Sequence, residues 1–409
     1  MSKEINVAII SVPPLPLCFK QSGGYGLRCR QLIIALENIK KIRWINSLEI
    51  IIGTPKEPAC KHLSKNKKYR PIIFWNEIKY NNLSGISKKL LLWAYYFYVS
   101  LLILFSRKKF WDVFKSSKVF FFENVYFLFP LFVLISFLCK LTHKKLILDL
   151  HDVYSFGRPI QYLSLIVALI FELFYTKLSD VVVTFTDQEM KYLDSYFRIK
   201  HKSSVIPTAI QVDKSKNYGW LNHQAYPIPT DKKLIIFLGG DLGTPMNRPA
   251  VDYILNVLAP KFLCRSDVIF VIIGPHQDYW MKHRKVPNNV IFTGFIPREK
   301  LSGMLAGRDI IFIAPMSYNT GFKQKILDYI ILKKPIVVSK QATLGLPIEN
   351  LPSVLSCKLS NFEHTLELAI DKYNELLHKA NVTYDFMSKN FNIDTLKERY
   401  EFLLMNLFP

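Results

Sequence analysis

At 409 residues, with half of them hydrophobic, 14% aromatic and only 21% charged, the chain excludes intrinsic disorder and is long enough for two domains rather than one. Its formal net charge is +22, and residues 1–200 hold 29 Lys+Arg against 14 Asp+Glu, an excess that favours anionic partners without choosing among nucleic acid, acidic lipid and phosphorylated substrate. The six cysteines stand singly, with no CxxC pair and no His at ligand spacing, which argues against a disulfide framework or a zinc site and for a reducing compartment.

The first apolar run, residues 6–12, is too short for a secretory core and ends in a Pro pair without a cleavage site, so it reads as a first β-strand. SGGYGLRCR (residues 22–30) follows and opens a helix over about 25–40. Gly23, Gly24 and Gly26 let the backbone approach a ligand closely, and a helix N-terminus offers N–H groups to an anion. These residues form either a phosphate or acceptor loop, with Arg28 as an anion partner, or a simple chain-reversing turn with a solvated cation.

A strand near 48–52 leads into three greasy stretches, residues 90–105, 125–139 and 162–175. The first, bracketed by Lys88, Lys89, Arg107, Lys108 and Lys109, makes a helix about 24 Å long, short of a hydrocarbon core of roughly 30 Å. Three readings stand: buried helices, a monotopic helix on an anionic leaflet, or spans. The strand-like segments 118–123 and 145–150 lie between the runs, in the alternation of a parallel α/β sheet.

DLHD (residues 149–152) sits where a strand ends, the edge of an open α/β sheet that faces ligand. His151 there is either a substrate-facing group or a hydrogen-bonded structural one, with Asp149 and Asp152 orienting it or capping the loop. A helix near 159–177, strand 181–185, a helix from 187 and strand 203–207 complete one doubly wound domain, residues 1–207. The polar, aperiodic stretch 208–231 reads as a linker.

The second half restarts with strand 233–240, helix 248–263, strands 268–274 and 290–294, helix 298–306, strand 309–315, helix 321–333 and strand 335–339. It forms a second domain, 232–385, before an amphipathic C-terminal helix, 386–409, expected to cross back to the first. The stretch 314–339, APMSYNTGFKQKILDYIILKKPIVVS, is either an ordinary βαβ connection or an anion site, with N–H groups at the helix start near Gly321 and the Asp328 carboxylate available to ribose hydroxyls.

That last block, followed by GLP at 345–347, resembles the donor-binding signature of the family 4 (group 1) retaining glycosyltransferases, in which a Glu, seven residues and a second Glu precede a helix, Gly-Lys-Pro and an apolar strand. Thr320 stands at the first acidic position and Asp328 at the second. LILDLHD, SDVVVTFTDQEMKYL, SSVIPTAIQVD, FLGGDLGTPMNRPAVDYI and NVIFTGFIPREKLSGMLAGRDIIFIAP are similar to further family segments. The resemblance covers most of residues 5–30 and 145–409.

It implies a GT-B fold, two Rossmann-like doubly wound α/β domains facing each other across a cleft. It also implies retaining, metal-independent transfer from a nucleotide sugar, with no other cofactor. By this resemblance His151 meets the donor sugar, Thr320, Gly321 and Phe322 meet sugar and phosphate, Asp328 meets ribose, and Gly294, Phe295 and Ile296 line the base. The family commonly places an Arg and a Lys on the diphosphate; Gly240 stands near the first position and Arg248 near the second, with Lys325 a further candidate.

Expected partners are the nucleotide-sugar donor, a glycan or lipid-linked acceptor and an anionic membrane surface, but no nucleic acid. The expected location is cytoplasmic, peripheral on the inner face of the cell membrane. The alternative class is a non-catalytic nucleotide-sugar-binding or scaffold protein of the same fold.

Overall fold

Apolar runs that leave no polar face become central strands: every residue of Val119–Glu123 and of Val268–Ile273 is buried. The computed structural model describes residues 5–11, 24–42, 45–55, 69–75, 108–123, 129–157, 162–210, 228–296, 301, 305, 307–318 and 321–408. The chain forms two units. Met1–Phe156, Ile160–Thr208 and Ile393–Pro409 make the first, and Gly157–Pro159 with Ala209–Asn392 the second.

In the first unit seven parallel strands line up as β3-β2-β1-β4-β5-β6-β7. These are β1 (Ile5–Ser11), β2 (Ile45–Pro55), β3 (Tyr69–Trp75), β4 (Val119–Glu123), β5 (Lys145–Asp149), β6 (Val181–Thr184) and β7 (Ser203–Val205). The connecting helices are α1 (Gly24–Ile42), α2 (Lys108–Ser116), α3 (Phe129–Leu141), α4 (Tyr162–Leu178) and α5 (Asp187–Phe197). Helix α5 starts on a Thr186 N-cap: the Glu189 N–H donates to Thr186 Oγ1 (3.1 Å), and that hydroxyl donates to the Glu189 carboxylate (2.9 Å). Strand order reverses between β1 and β4, the position at which doubly wound sheets open a crevice.

The second unit repeats this plan with six parallel strands ordered β10-β9-β8-β11-β12-β13. They are β8 (Lys233–Leu238), β9 (Val268–Ile273), β10 (Val290–Gly294), β11 (Ile310–Ala314), β12 (Ile336–Ser339) and β13 (Val354–Cys357). Helix α6 (Arg248–Tyr253) runs on through a π-helical turn, Ile254–Leu258, into Ala259–Lys261. Then come α7 (Asp278–His283), α8 (Gln324–Ile331), α9 (Phe362–Asp371) and α10 (Tyr373–Asn390). The last helix, α11 (Ile393–Leu407), belongs to the first unit and packs on α1.

Here the reversal lies between β8 and β11, and Tyr329 of α8 clamps it. The phenol accepts from the Leu238 N–H (3.0 Å) and donates to the Ile313 carbonyl (3.2 Å), while its ring stacks on Phe312 at 4.4 Å. Gly274, after β9, has no room for a side chain, because a Cβ there would lie 2.4 Å from the Gly239 carbonyl oxygen. The loops after β8 and β9 are thereby held close together.

Differences from the sequence reading are local. The helix expected from 321 begins three residues later, because Gly321 takes a left-handed φ of 65° and Lys323 an extended conformation, neither compatible with a helical turn. Strands β3 and β13 and helices α2, α7, α9 and α10 were not separately assigned from sequence. Residues 90–105, most of 298–306 and 211–227 of the expected linker lie outside the described residues. Among the described residues no helix is long and apolar enough to cross a membrane.

Candidate functional site

In the first unit the C-terminal ends of neighbouring strands bring polar groups together: Glu123 closes β4, Asp149 closes β5 in register with it, and His151 follows. All three are buried, and one ligand-type atom from each lies within 4.8 Å of the others. His151 Nε2 is 3.6 Å from a Glu123 oxygen, and its ring sits 5.5 Å from that of Phe185.

Arg28 is fully buried rather than facing an anion. Its guanidinium donates to the Pro207 carbonyl (3.0 Å), the Ile206 carbonyl (3.0 Å) and the Tyr400 hydroxyl (2.7 Å), and more weakly to Asp149 Oδ1 (3.5 Å). The Tyr400 hydroxyl in turn donates to Asp149 Oδ2 (2.7 Å), and the Arg28 cation lies 4.6 Å over the Phe185 ring. Burial opposes the charge on Arg28, but Asp149, Tyr400 and Glu123 outweigh it and leave the pKa raised. Burial also pushes the Tyr400 phenol well above its usual value. The two terminal nitrogens of Arg28 are thus bonded inside the fold, and its Nε lies 3.5 Å from Asp149 Oδ2. Gly24 opens α1, and Gly23 lies outside the described residues.

In the second unit the starts of α6 and α8 meet over the β8/β11 reversal. Lys325 Nζ donates to Asn247 Oδ1 (2.7 Å), and Asn247 Nδ2 donates to the Asp241 carbonyl (2.7 Å). Asp241 Oδ1 accepts from the Gly243 N–H (2.8 Å) and lies 2.8 Å from His276 Nδ1. Loops after β8, β9 and β11 are thus tied into one rim. The N-cap residue of α8, Lys323, makes no side-chain capping bond to the helix's first turn, whose N–H groups carry the positive end of the helix dipole.

Lys325 also lies 4.3 Å over the Phe237 ring, and burial, helped by nearby Lys323, pulls its pKa down to about 7. Between that value and the ordinary 10.5 the unfolded chain binds more protons than the folded one, so this group makes stability rise with pH across that window; below about pH 7 the cost is fully present. Lys325→Met is accordingly expected to melt highest relative to the wild type at pH 6, with the difference shrinking by pH 10. A difference independent of pH in thermal melts contradicts this.

The remaining expected residues are distributed as follows. Phe322 is buried beside Phe391, and Asp328 stands on α8, part-buried, one turn beyond Lys325. The Arg248 guanidinium lies 4.8 Å over the Tyr279 ring at the start of α6. Gly294 ends β10 with φ 73°, and a Cβ there would lie 3.8 Å from the Gln277 amide; Phe295 is exposed and Ile296 buried. Thr320 lies outside the described residues. Sequence reasoning missed Asp241, Asn247, His276 and Gln277, whose only local signal was their place in loops after strands. An open groove of about 650 Å³ runs along α6 past Pro245, Arg248, Asp252 and Asn256 and reaches this rim at Gly243, whose N–H donates to Asp241.

Two three-layer α/β units with these strand orders define the GT-B fold, and solved structures agree. The chain is similar to Anabaena HepE, solved with UDP and glucose, at 13% identity and TM-score 0.59, covering 98% of this chain and 100% of that one. A glycosyltransferase from Rickettsia africae (14%, TM-score 0.64) and sucrose-phosphate synthase from Thermosynechococcus elongatus (14%, TM-score 0.65) each align over 99% of both chains. At such identities these likenesses establish the fold. Residues 232–350, from β8 to just before β13, match the family described as glycosyl transferases group 1. The matched domain and the fold together support a glycosyltransferase of the GT-B superfamily. No curated protein matches the sequence significantly.

Proposed function

We propose that the chain moves a sugar from a nucleotide-sugar donor to a glycan or lipid-linked acceptor, with retention and without a bound metal. The observation that carries this reading is the rim over the β8/β11 reversal, where Lys325, Asn247, Asp241 and His276 hold the starts of α6 and α8 together. A diphosphate suits such a place: the N–H groups at the start of α8 and the Lys325 amine meet its charge, and the Asp328 carboxylate accepts from ribose hydroxyls. Backbone N–H groups of Thr320, Gly321 and Phe322 serve the sugar and phosphate, Arg248 assists the diphosphate, and Gly294 to Ile296 flank the base. His151 acts on the donor sugar. That HepE was solved with UDP and glucose supports a uridine nucleotide as the first donor to try.

A thermal-shift screen of nucleotide sugars, followed by mass analysis of glycolipid products, tests the proposal. One stabilising donor and a mass increase of one sugar are expected; no stabilisation by any nucleotide sugar contradicts it. If a donor binds without transfer or hydrolysis, the chain is a non-catalytic nucleotide-sugar-binding protein.

The loop after β8 offers a gain-of-function test. A Cβ at Gly240 meets nothing within 4 Å, so a side chain is accommodated there. Gly240→Arg adds a cation near the expected diphosphate and should tighten nucleoside diphosphate binding about tenfold at unchanged stability. Calorimetric titration checks this, and unchanged or weaker affinity in a folded variant removes the diphosphate from that loop.

A further inference from the structure

Helix α4 is built inside out. Its buried side holds Ala168, Glu172, Tyr175 and Thr176, and the Glu172 carboxylate accepts from the Ser155 N–H (3.0 Å) and the Ser155 hydroxyl. Its outer side carries Ile166, Val167, Ile170, Leu173 and Phe174, which are 37–48% exposed. At 100° per residue these five positions span an arc of roughly 120°, one continuous apolar stripe facing outward. A helix that turns its carboxylate inward and its aliphatic residues outward contradicts the expectation for a water-facing surface. Helix α3 packs alongside through Phe129 on Phe171 at 4.7 Å, and near its own C-terminus it exposes Phe137 (58%) and Leu141 (61%).

Lysines gather where these helices end. Lys177 continues the stripe at the C-terminus of α4, and its Nζ donates to the Phe197 carbonyl (3.2 Å). Lys202 reaches the Ser179 carbonyl (2.8 Å), and exposed Lys140 lies on the last turn of α3. The Lys202 pKa is lowered first by burial and then by Lys177, with Asp180 opposing and Lys140 adding, as expected for cations sharing one neighbourhood. The nearby carboxylate of Asp180 is bridged to Lys145 at 3.6 Å.

We propose that the outer face of α4, with Lys140, Lys177 and Lys202 at its end, docks the protein on an anionic lipid bilayer. Apolar side chains enter the boundary of acyl chains and headgroups while the ammonium groups meet lipid phosphates. A second copy packed in parallel on this face would bring its own lysines against these, whereas anionic headgroups neutralise them. The inference does not depend on the donor site, and it puts membrane contact on a helix other than residues 90–105.

The test uses the full chain with vesicles of phosphatidylcholine alone or mixed with phosphatidylglycerol, at low and high salt. The wild type should co-sediment with the anionic vesicles and be released by salt. V167E combined with I170E, at exposed positions, should weaken binding at least about tenfold at unchanged thermal stability. K177E should reduce the preference for anionic over neutral vesicles. Binding that survives V167E/I170E, or that ignores lipid charge in the wild type, overturns the proposal. So does sedimentation velocity showing a dimer that the same double variant dissociates.

Discussion

His151→Ala is expected to depress sugar transfer by about 10²–10³-fold, and Asp328→Ala to raise the donor KM by roughly 10–100-fold, with little effect on folding in either case. The first figure follows if an imidazole at the C-terminal end of β5 stabilises charge developing on the donor sugar. The second follows if one carboxylate accepts two ribose hydroxyl hydrogen bonds. The split between kcat and KM distinguishes the roles, because a group that acts on the reacting sugar lowers kcat whereas a ribose contact weakens binding. Steady-state kinetics with circular dichroism on both variants checks the pair, and near-normal turnover in both removes the proposed site.

Arg28→Met is expected to destabilise the first unit by about 3–5 kcal/mol, the effect of breaking a buried charged network from one side. The substitution strips the Pro207 and Ile206 carbonyls of their donor and leaves Asp149 with Tyr400 alone. Tyr400 sits on α11, so the same change loosens the C-terminal helix from α1. Arg28→Lys should not restore stability, since an ammonium cannot span these acceptors as the guanidinium fork does. Tyr400→Phe removes two hydrogen bonds but no charge, and should cost less, about 1–3 kcal/mol. Chemical denaturation followed by fluorescence measures the series, and an Arg28→Met variant as stable as the wild type shows that the network contributes little.

Buried apolar strand centres are legible without any structure: LIIF within β8 and VIFVII of β9 leave no polar face, so they are central strands and the α/β class follows. What escaped the sequence was long-range pairing. Arg28 looks like a solvated cation on a first helical turn because its partner Tyr400 lies 372 residues away. Lys325 and Asn247 are 78 residues apart, and nothing local in either announces the bond that joins α6 to α8. The inside-out build of α4 was hidden for another reason. A helix apolar nearly all round carries little periodicity, so which aliphatic residues face outward emerges only once Glu172 is seen to turn inward.

The most direct measurement is calorimetric titration of the full chain with ribo- and 2′-deoxyribonucleoside diphosphates, in the wild type and Asp328→Ala. The wild type should bind at least one ribonucleoside diphosphate and prefer it over its deoxy form, and Asp328→Ala should bind more weakly and discriminate less. Failure of the wild type to bind any nucleoside diphosphate, or discrimination that persists unchanged in Asp328→Ala, would contradict a donor site at the start of α8.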